Sequence, residues 1–251
     1  MNMRLILLVS PRDAEKIPSP PCIPCVTGCV VRREGTLFRG GRPFRGGVCA
    51  VGFEDGFQNN GNTAKEIVSY CREYGISGAY LSSGHDLSPI VRALTDNGVS
   101  VYTDGERIYD GAVELVSSAV SGGTLRERLT DEIRKYGKDR VALGVELVRC
   151  DFTLPARDGN GRSITLAETR ELLRKHPSPS FTSDSLCVNY FFYREGGTMH
   201  AVLYDNSRSI IEKLRLAEDL GIRTAFLAYD EVSEILPQLT NSLRSPHGQR
   251  F

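Results

Sequence analysis

The stretch Ile67-Val68-Ser69-Tyr70-Cys71-Arg72-Glu73-Tyr74-Gly75-Ile76-Ser77-Gly78-Ala79-Tyr80-Leu81 changes period at its glycine. Before Gly75, the side chains of Ile67, Val68, Cys71 and Tyr74 share one face at helical spacing, and Asn62 or Thr63 is a suitable cap at the start. Gly75 is a natural left-handed stop. After it, residues 76–81 make a short apolar run of strand length. The same unit appears on both sides. Val48–Phe53 reads as a strand before the helix, and a helix over 87–97, ended by Gly98, leads to a strand over 99–103.

Alternation at this spacing predicts a mostly parallel sheet covered by helices. Further along, 112–120 reads as a strand, with a helix as the open alternative, and 141–148 as a strand, on either side of a charged amphipathic helix over 124–136. A helix over 164–175 precedes two alternating runs, 186–193 and 200–203, that flank Glu195-Gly196-Gly197 as an antiparallel hairpin. A helix over 207–220, a last strand over 222–228 and a short helix from Glu231 complete the pattern. About eight strands favour a closed TIM-type (β/α)8 barrel, and 251 residues is the usual size of one.

The start of the chain fits that barrel poorly. The run 5–9 reads as a strand buried on both faces rather than the core of a signal peptide. The Pro-rich stretch 17–24 cannot be helix interior. Residues 30–39 read as a hairpin around Glu34-Gly35. The first third of the barrel is therefore expected to be abbreviated or irregular over 1–47. The expected organisation is one domain over 1–240, with a hairpin insertion over 177–204 before the last βα unit and a flexible tail over 241–251.

Composition narrows the function. Lys+Arg and Asp+Glu both count 31, for zero net charge, which argues against nucleic acid or an anionic membrane as the main partner. No apolar run approaches the roughly 20 residues that span a bilayer. Seven cysteines, an odd and scattered set, suit a reducing, cytoplasmic setting.

Three segments of the second half resemble the family 18 glycoside hydrolases, in particular the spore-associated peptidoglycan glycosylases. Residues 140–147 followed by Asp151-Phe152-Thr153-Leu154-Pro155 resemble a late barrel strand and its Asp-Trp-Thr-Leu-Pro loop. Val202-Leu203-Tyr204-Asp205-Asn206-Ser207-Arg208-Ser209-Ile210 resembles the segment that enters the last barrel helix. Lys213-Leu214-Arg215-Leu216-Ala217 and Leu220-Gly221-Ile222-Arg223 resemble that helix and its exit. The hairpin sits where this family carries a small α+β insertion. In the first half, 67–76 resembles the helix before the catalytic strand, which in the family reads Asp-Gly-x-Asp-x-Asp-x-Glu. Here that strand reads Ser77-Gly78-Ala79-Tyr80-Leu81-Ser82-Ser83-Gly84.

The resemblance implies a substrate-assisted mechanism in which one carboxylic acid protonates the leaving oxygen and the sugar's N-acetyl group attacks. General acid catalysis contributes roughly 10²–10⁴-fold and needs a titratable group in reach. Ser82 and Gly84 supply none. The family's Met-x-Tyr-Asp strand corresponds to Ser117-Ser118-Ala119-Val120, and the Trp floor at the last strand corresponds to Phe226-Leu227-Ala228-Tyr229 in a chain without Trp. Three losses in one site point to a catalytically degenerate barrel that binds a glycan or a protein partner.

Two alternatives stay open. One is an active glycosidase on N-acetylglucosamine-containing glycans with relocated carboxylates. Acids at expected strand ends are Glu54, Asp55, Asp104, Glu106, Asp151 and Asp230, of which Glu54-Asp55 and Asp104-x-Glu106 are the candidate catalytic groups. The other is a structural or assembly protein that covers exposed barrel edges by homodimerisation. Candidate ligand-binding residues are Ser82, His85, Asp151 and Tyr229. Arg208, like Asp151, matches a family position. Cys22, Cys25 and Cys29, with Cys49, form a tight cluster but lack the four paired ligands of a zinc knuckle, so neither metal nor cofactor is expected. The Arg-rich run Arg32, Arg33, Arg39, Arg42, Arg45 reads as a hairpin's solvated face or an anion patch.

Overall fold

The computed structural model describes residues 3–18, 20–40, 44–105, 107, 109–120, 122–156 and 161–244. In chain order the elements are β1 (Arg4–Val9), β2 (Cys22–Val31), β3 (Leu37–Arg39), β4 (Val48–Phe53), α1 (Thr63–Tyr74), β5 (Gly78–Ser82), α2 (Ser88–Asp96), β6 (Ser100–Asp104), β7 (Val113–Ser117), α3 (Leu125–Tyr136) and β8 (Val141–Val145). There follow β9 (Arg149–Leu154), β10 (Arg162–Ser163), α4 (Leu166–Lys175), β11 (Phe181–Ser183), β12 (Val188–Glu195), β13 (Thr198–Tyr204), α5 (Ser207–Asp219), β14 (Thr224–Ala228), α6 (Tyr229–Val232) and α7 (Leu236–Arg244).

Among the described residues eight parallel strands close into a barrel in the order β1, β2, β4, β5, β6, β7, β8, β14. Closure runs through β1, which pairs with β2 (Leu5↔Cys22) on one side and β14 (Arg4↔Thr224) on the other. Strand pleating sorts the side chains. Ile6, Cys25, Val48, Tyr102, Ala142 and Phe226 form the barrel interior, with Tyr80 and Leu115 packed on them. The alternate residues meet the helices, as Leu5 and Leu7 do with Ile210 and Leu214 of α5. The helices begin and end where their chemistry allows. Thr124 and Glu127 form a capping box on α3, Thr165 and Glu168 one on α4, and Gly75 closes α1 at φ 63°.

The first third is irregular as expected, since among the described residues β1, β2 and β4 follow one another with no α-helix between them. It does not leave the barrel open, which removes the exposed edges on which dimerisation was argued. Strand β2 starts inside the Pro-rich stretch 17–24. Pro24 is tolerated because pairing to β4 begins only at Cys25↔Val48, so its missing N–H costs no rung on that side. The insertion is larger than the expected 177–204 hairpin. It is a five-stranded antiparallel sheet, β10-β9-β13-β12-β11, packed with Leu172 and Leu173 of α4 and with Ile164 just before that helix. Its register, Val202↔Asp151, joins residues too distant for a local pattern to reveal. The tail is also ordered further than expected. Leu236, Leu239 and Leu243 share one buried face, so α7 runs to Arg244, and residues 245–251 lie outside the described residues.

One buried ion pair fastens the insertion to the barrel. Asp205, where the chain returns, and Lys213 of α5 lie 2.6 Å apart with both side chains at 0% exposure. The carboxylate also accepts from the Val148 backbone N at 2.7 Å and the Ser209 hydroxyl at 2.7 Å. Removing one member of such a pair strands a charge, so Lys213→Met is expected to lower unfolding free energy by about 3–5 kcal/mol, with Asp205→Asn in the same chain restoring part of it. Urea unfolding of the two variants checks this, and a loss below about 1 kcal/mol for Lys213→Met contradicts it.

Candidate functional site

The C-terminal ends of the barrel strands surround a cavity of about 670 Å³. Its floor is aromatic. Phe226 of β14 packs on Tyr102 at 4.9 Å and on Tyr80 at 5.7 Å between ring centres. Tyr80 points inward from β5, and its hydroxyl donates to Asp104 Oδ2 at 2.6 Å. Burial first, and then the Asp104 carboxylate, push the Tyr80 phenol above its ordinary range, so it stays a donor. Ser82, one inward step further along β5, donates to the same oxygen at 3.4 Å. Glu146 lines the cavity from just beyond β8, two strands along from β6. Its backbone N donates to the buried Ser118 hydroxyl at 3.1 Å, and that hydroxyl donates back to the Glu146 carbonyl at 3.3 Å, which fixes where the carboxylate emerges.

The cavity continues sideways over β7 towards α3. Two features open that path. The connection 105–112 carries no helix among its described residues, and β6 pairs with β7 through only Tyr102↔Val113 and Thr103↔Glu114. Glu114 faces outward here and accepts from the Thr103 hydroxyl at 3.2 Å. Its carboxyl is pushed up to about 7, chiefly by burial, with the Asp104 charge adding to the effect and the Thr103 bond opposing it.

No protein-family model matches the chain. The cortical fragment-lytic enzymes of Bacillus anthracis and Bacillus cereus are each 31% identical to it over 101 residues, which is 36% of this chain but only 23% of theirs. The crystal structure of the Bacillus cereus spore cortex-lytic enzyme SleL superposes with a TM-score of 0.70 at 16% identity, over 96% of this chain and 73% of that one. The family GH18 chitinase of Cycas revoluta superposes at 0.67 and 11% identity, over 96% and 99%. The fold is that of the family 18 glycoside hydrolases.

In this barrel β5 is the fourth strand, where the resemblance places the catalytic acids. Tyr80 and Ser82 face the mouth from it, and Gly84 follows with open space where a side chain would begin. The cavity gathers Asp104 and places Ser82 on it. The other expected residues lie elsewhere. Glu106 is outside the described residues. Glu54 accepts from the Arg33 backbone N at 3.1 Å and fastens the β2–β3 hairpin, and the exposed Asp55 beside it does not line the cavity either. The His85 ring sits edge-on against Phe57 at 5.1 Å in the outer core. Asp151 belongs to the insertion, where it accepts from Tyr193 at 2.8 Å and meets His200 Nδ1 at 3.1 Å. Tyr229 packs into the outer core at the start of α6, leaving Ala228 at the rim. Asp230 is exposed beside it, and Arg208 is exposed on α5.

Cys22, Cys25 and Cys29 fall into three separate core clusters and do not converge, because β2 alternates its faces and bulges between Val26 and Cys29. Two of the arginines are taken up by rings, Arg32 over Phe38 at 4.5 Å and Arg39 over Tyr70 at 5.0 Å, and Arg42 lies outside the described residues. Sequence reasoning missed Glu146 and Glu114. Glu146 ends an apolar strand and was legible as a strand-end acid, whereas the setting of Glu114 depends on how β7 is staggered against β6.

Raising the folded carboxyl of Glu114 from 4.5 to about 7 means that its stabilising contribution is complete below 4.5 and lost as pH rises through 7. Glu114→Gln should therefore gain stability over the natural chain between pH 5 and pH 8, by about 1 kcal/mol once partial exposure is discounted. Thermal unfolding across that pH range checks this, and a pH-independent difference refutes it.

Proposed function

We propose that the barrel mouth binds a glycan chain and does not cleave it by the substrate-assisted route. The observation that carries this is the end of β5. A hydroxyl (Ser82) and a bare backbone (Gly84) stand where a family 18 enzyme needs an orienting carboxylate and a proton donor. Binding is supported by the cavity's concave form and its Tyr80–Phe226 floor, since aromatic faces suit the apolar faces of sugar rings. By the resemblance to cortex-lytic enzymes, we place the protein in a spore or envelope setting.

Hydrolysis by relocated carboxylates is the weaker reading, because Glu54 and Asp55 lie away from the cavity and Glu114 faces outward from β7. An assembly role through open barrel edges loses its premise, because the barrel closes.

Incubation with chitooligosaccharides and with peptidoglycan tests the proposal. Binding without product is expected, seen as ligand-induced chemical-shift changes and an unchanged oligosaccharide profile. Turnover that disappears in Asp104→Asn would establish the relocated enzyme instead. Gly84→Glu is expected to fold with an unchanged melting temperature, since a Cβ there meets nothing within 4 Å.

A further inference from the structure

Resting on the glycan-binding reading, we propose that the mouth selects a sugar with a free amino group, a glucosamine unit in its ammonium form, over an N-acetylated one.

The charge facing the cavity carries the inference. Asp104 and Glu146 enter it from the fifth and seventh barrel strands. Among the described residues that line it, the two cations come from α3, beyond β7, and not from the barrel interior. One of them, Lys135, is already engaged, with its ammonium 3.8 Å from Glu132 and 4.6 Å over the Tyr136 ring. The other, Arg128, sits at the outer rim. Beyond Glu146 the charge is mixed, since the Arg149 cation stands against the acids there. The carboxyl of Glu231 is pushed up by burial and then by the charges of Asp230, Glu146 and Asp205, with Arg149 opposing.

The floor agrees with this charge. The Tyr80 and Phe226 rings can take either a pyranose face or an ammonium, and an ammonium over such a ring gains about 0.5–2 kcal/mol, more as it is desolvated. Because Tyr80 and Ser82 both donate to Oδ2, the second oxygen of Asp104 takes no hydrogen bond among the described residues and is open to an N–H donor. An acetamide gains less here. Its carbonyl would face carboxylates, and the Ser82 and Ser118 hydroxyls already donate to Asp104 and to the Glu146 carbonyl, which leaves the Ser117 hydroxyl, an acceptor from the Ala119 backbone N at 3.0 Å, as the remaining serine O–H donor.

Titration calorimetry of the natural chain with a glucosamine tetramer, an N-acetylglucosamine tetramer and spermidine separates the outcomes. The glucosamine tetramer is expected to bind at least about tenfold more tightly than the other two. That affinity should fall severalfold as salt rises from about 50 to about 500 mM, because the attraction is Coulombic. Asp104→Asn with Glu146→Gln should remove the preference while leaving the melting temperature in place. Equal or tighter binding of the N-acetylated tetramer overturns the inference and leaves the glycan reading standing. Spermidine binding as well as the glucosamine tetramer overturns it too, as an amine site without sugar recognition. Failure of both tetramers to bind removes the glycan reading itself.

Discussion

A lysine and an aspartate without solvent contact decide how this chain closes on itself. Between Val148 and Asp205 it leaves the barrel, builds a separate sheet and returns. The two ends of that excursion must meet before α5 and β14 can complete the ring. The Asp205 carboxylate holds them by taking a bond from Val148 at the exit and from Ser209 and Lys213 at the return. Burying a charge costs several kcal/mol unless its lone pairs are used, and three donors use them here. The Asp205 backbone N completes the join by donating to the Val148 carbonyl at 2.8 Å. With the excursion pinned at its root, β14 can lie between β8 and β1, and the barrel has no edge.

Closure then sets what the mouth can be. The interior is filled by rings, and Tyr80 occupies the place where the resemblance expects an acid. A phenol there does two jobs that an acid would not. Its ring supports Phe226, and its hydroxyl presents the carboxylate of the next strand. The polar character of the site has thus moved one strand along, from β5 to β6. Ser118 plays the corresponding part for Glu146 by clamping the backbone on both sides of the residue.

Much of the barrel was legible because its middle units obey local rules. The run from β4 to β6 alternates strand and helix with glycine stops at 75 and 98, and both glycines have positive φ. The parts that were not legible depend on partners far away in sequence. The course of β2 through Pro24 is allowed only by where β4 begins to pair. The extent of the insertion rests on β9 pairing with β13, and α7 is held by burial against the outer core. The site divides the same way. Asp104 was visible as an acid at a strand end. His85, Asp151 and Tyr229 look similar in sequence, but each is turned from the mouth by a ring, a neighbouring strand or a helix start.

The two-rung contact between β6 and β7 is the shortest register in the barrel wall. A ring under tension parts at its thinnest link, and local opening draws on the least-bonded segment. Local opening of this barrel is therefore expected first at that seam rather than as a melting of the whole. Asp104 and Glu114 stand on the two sides of that seam, so an opening there would bring water to the Glu114 carboxyl, which burial holds towards its neutral form.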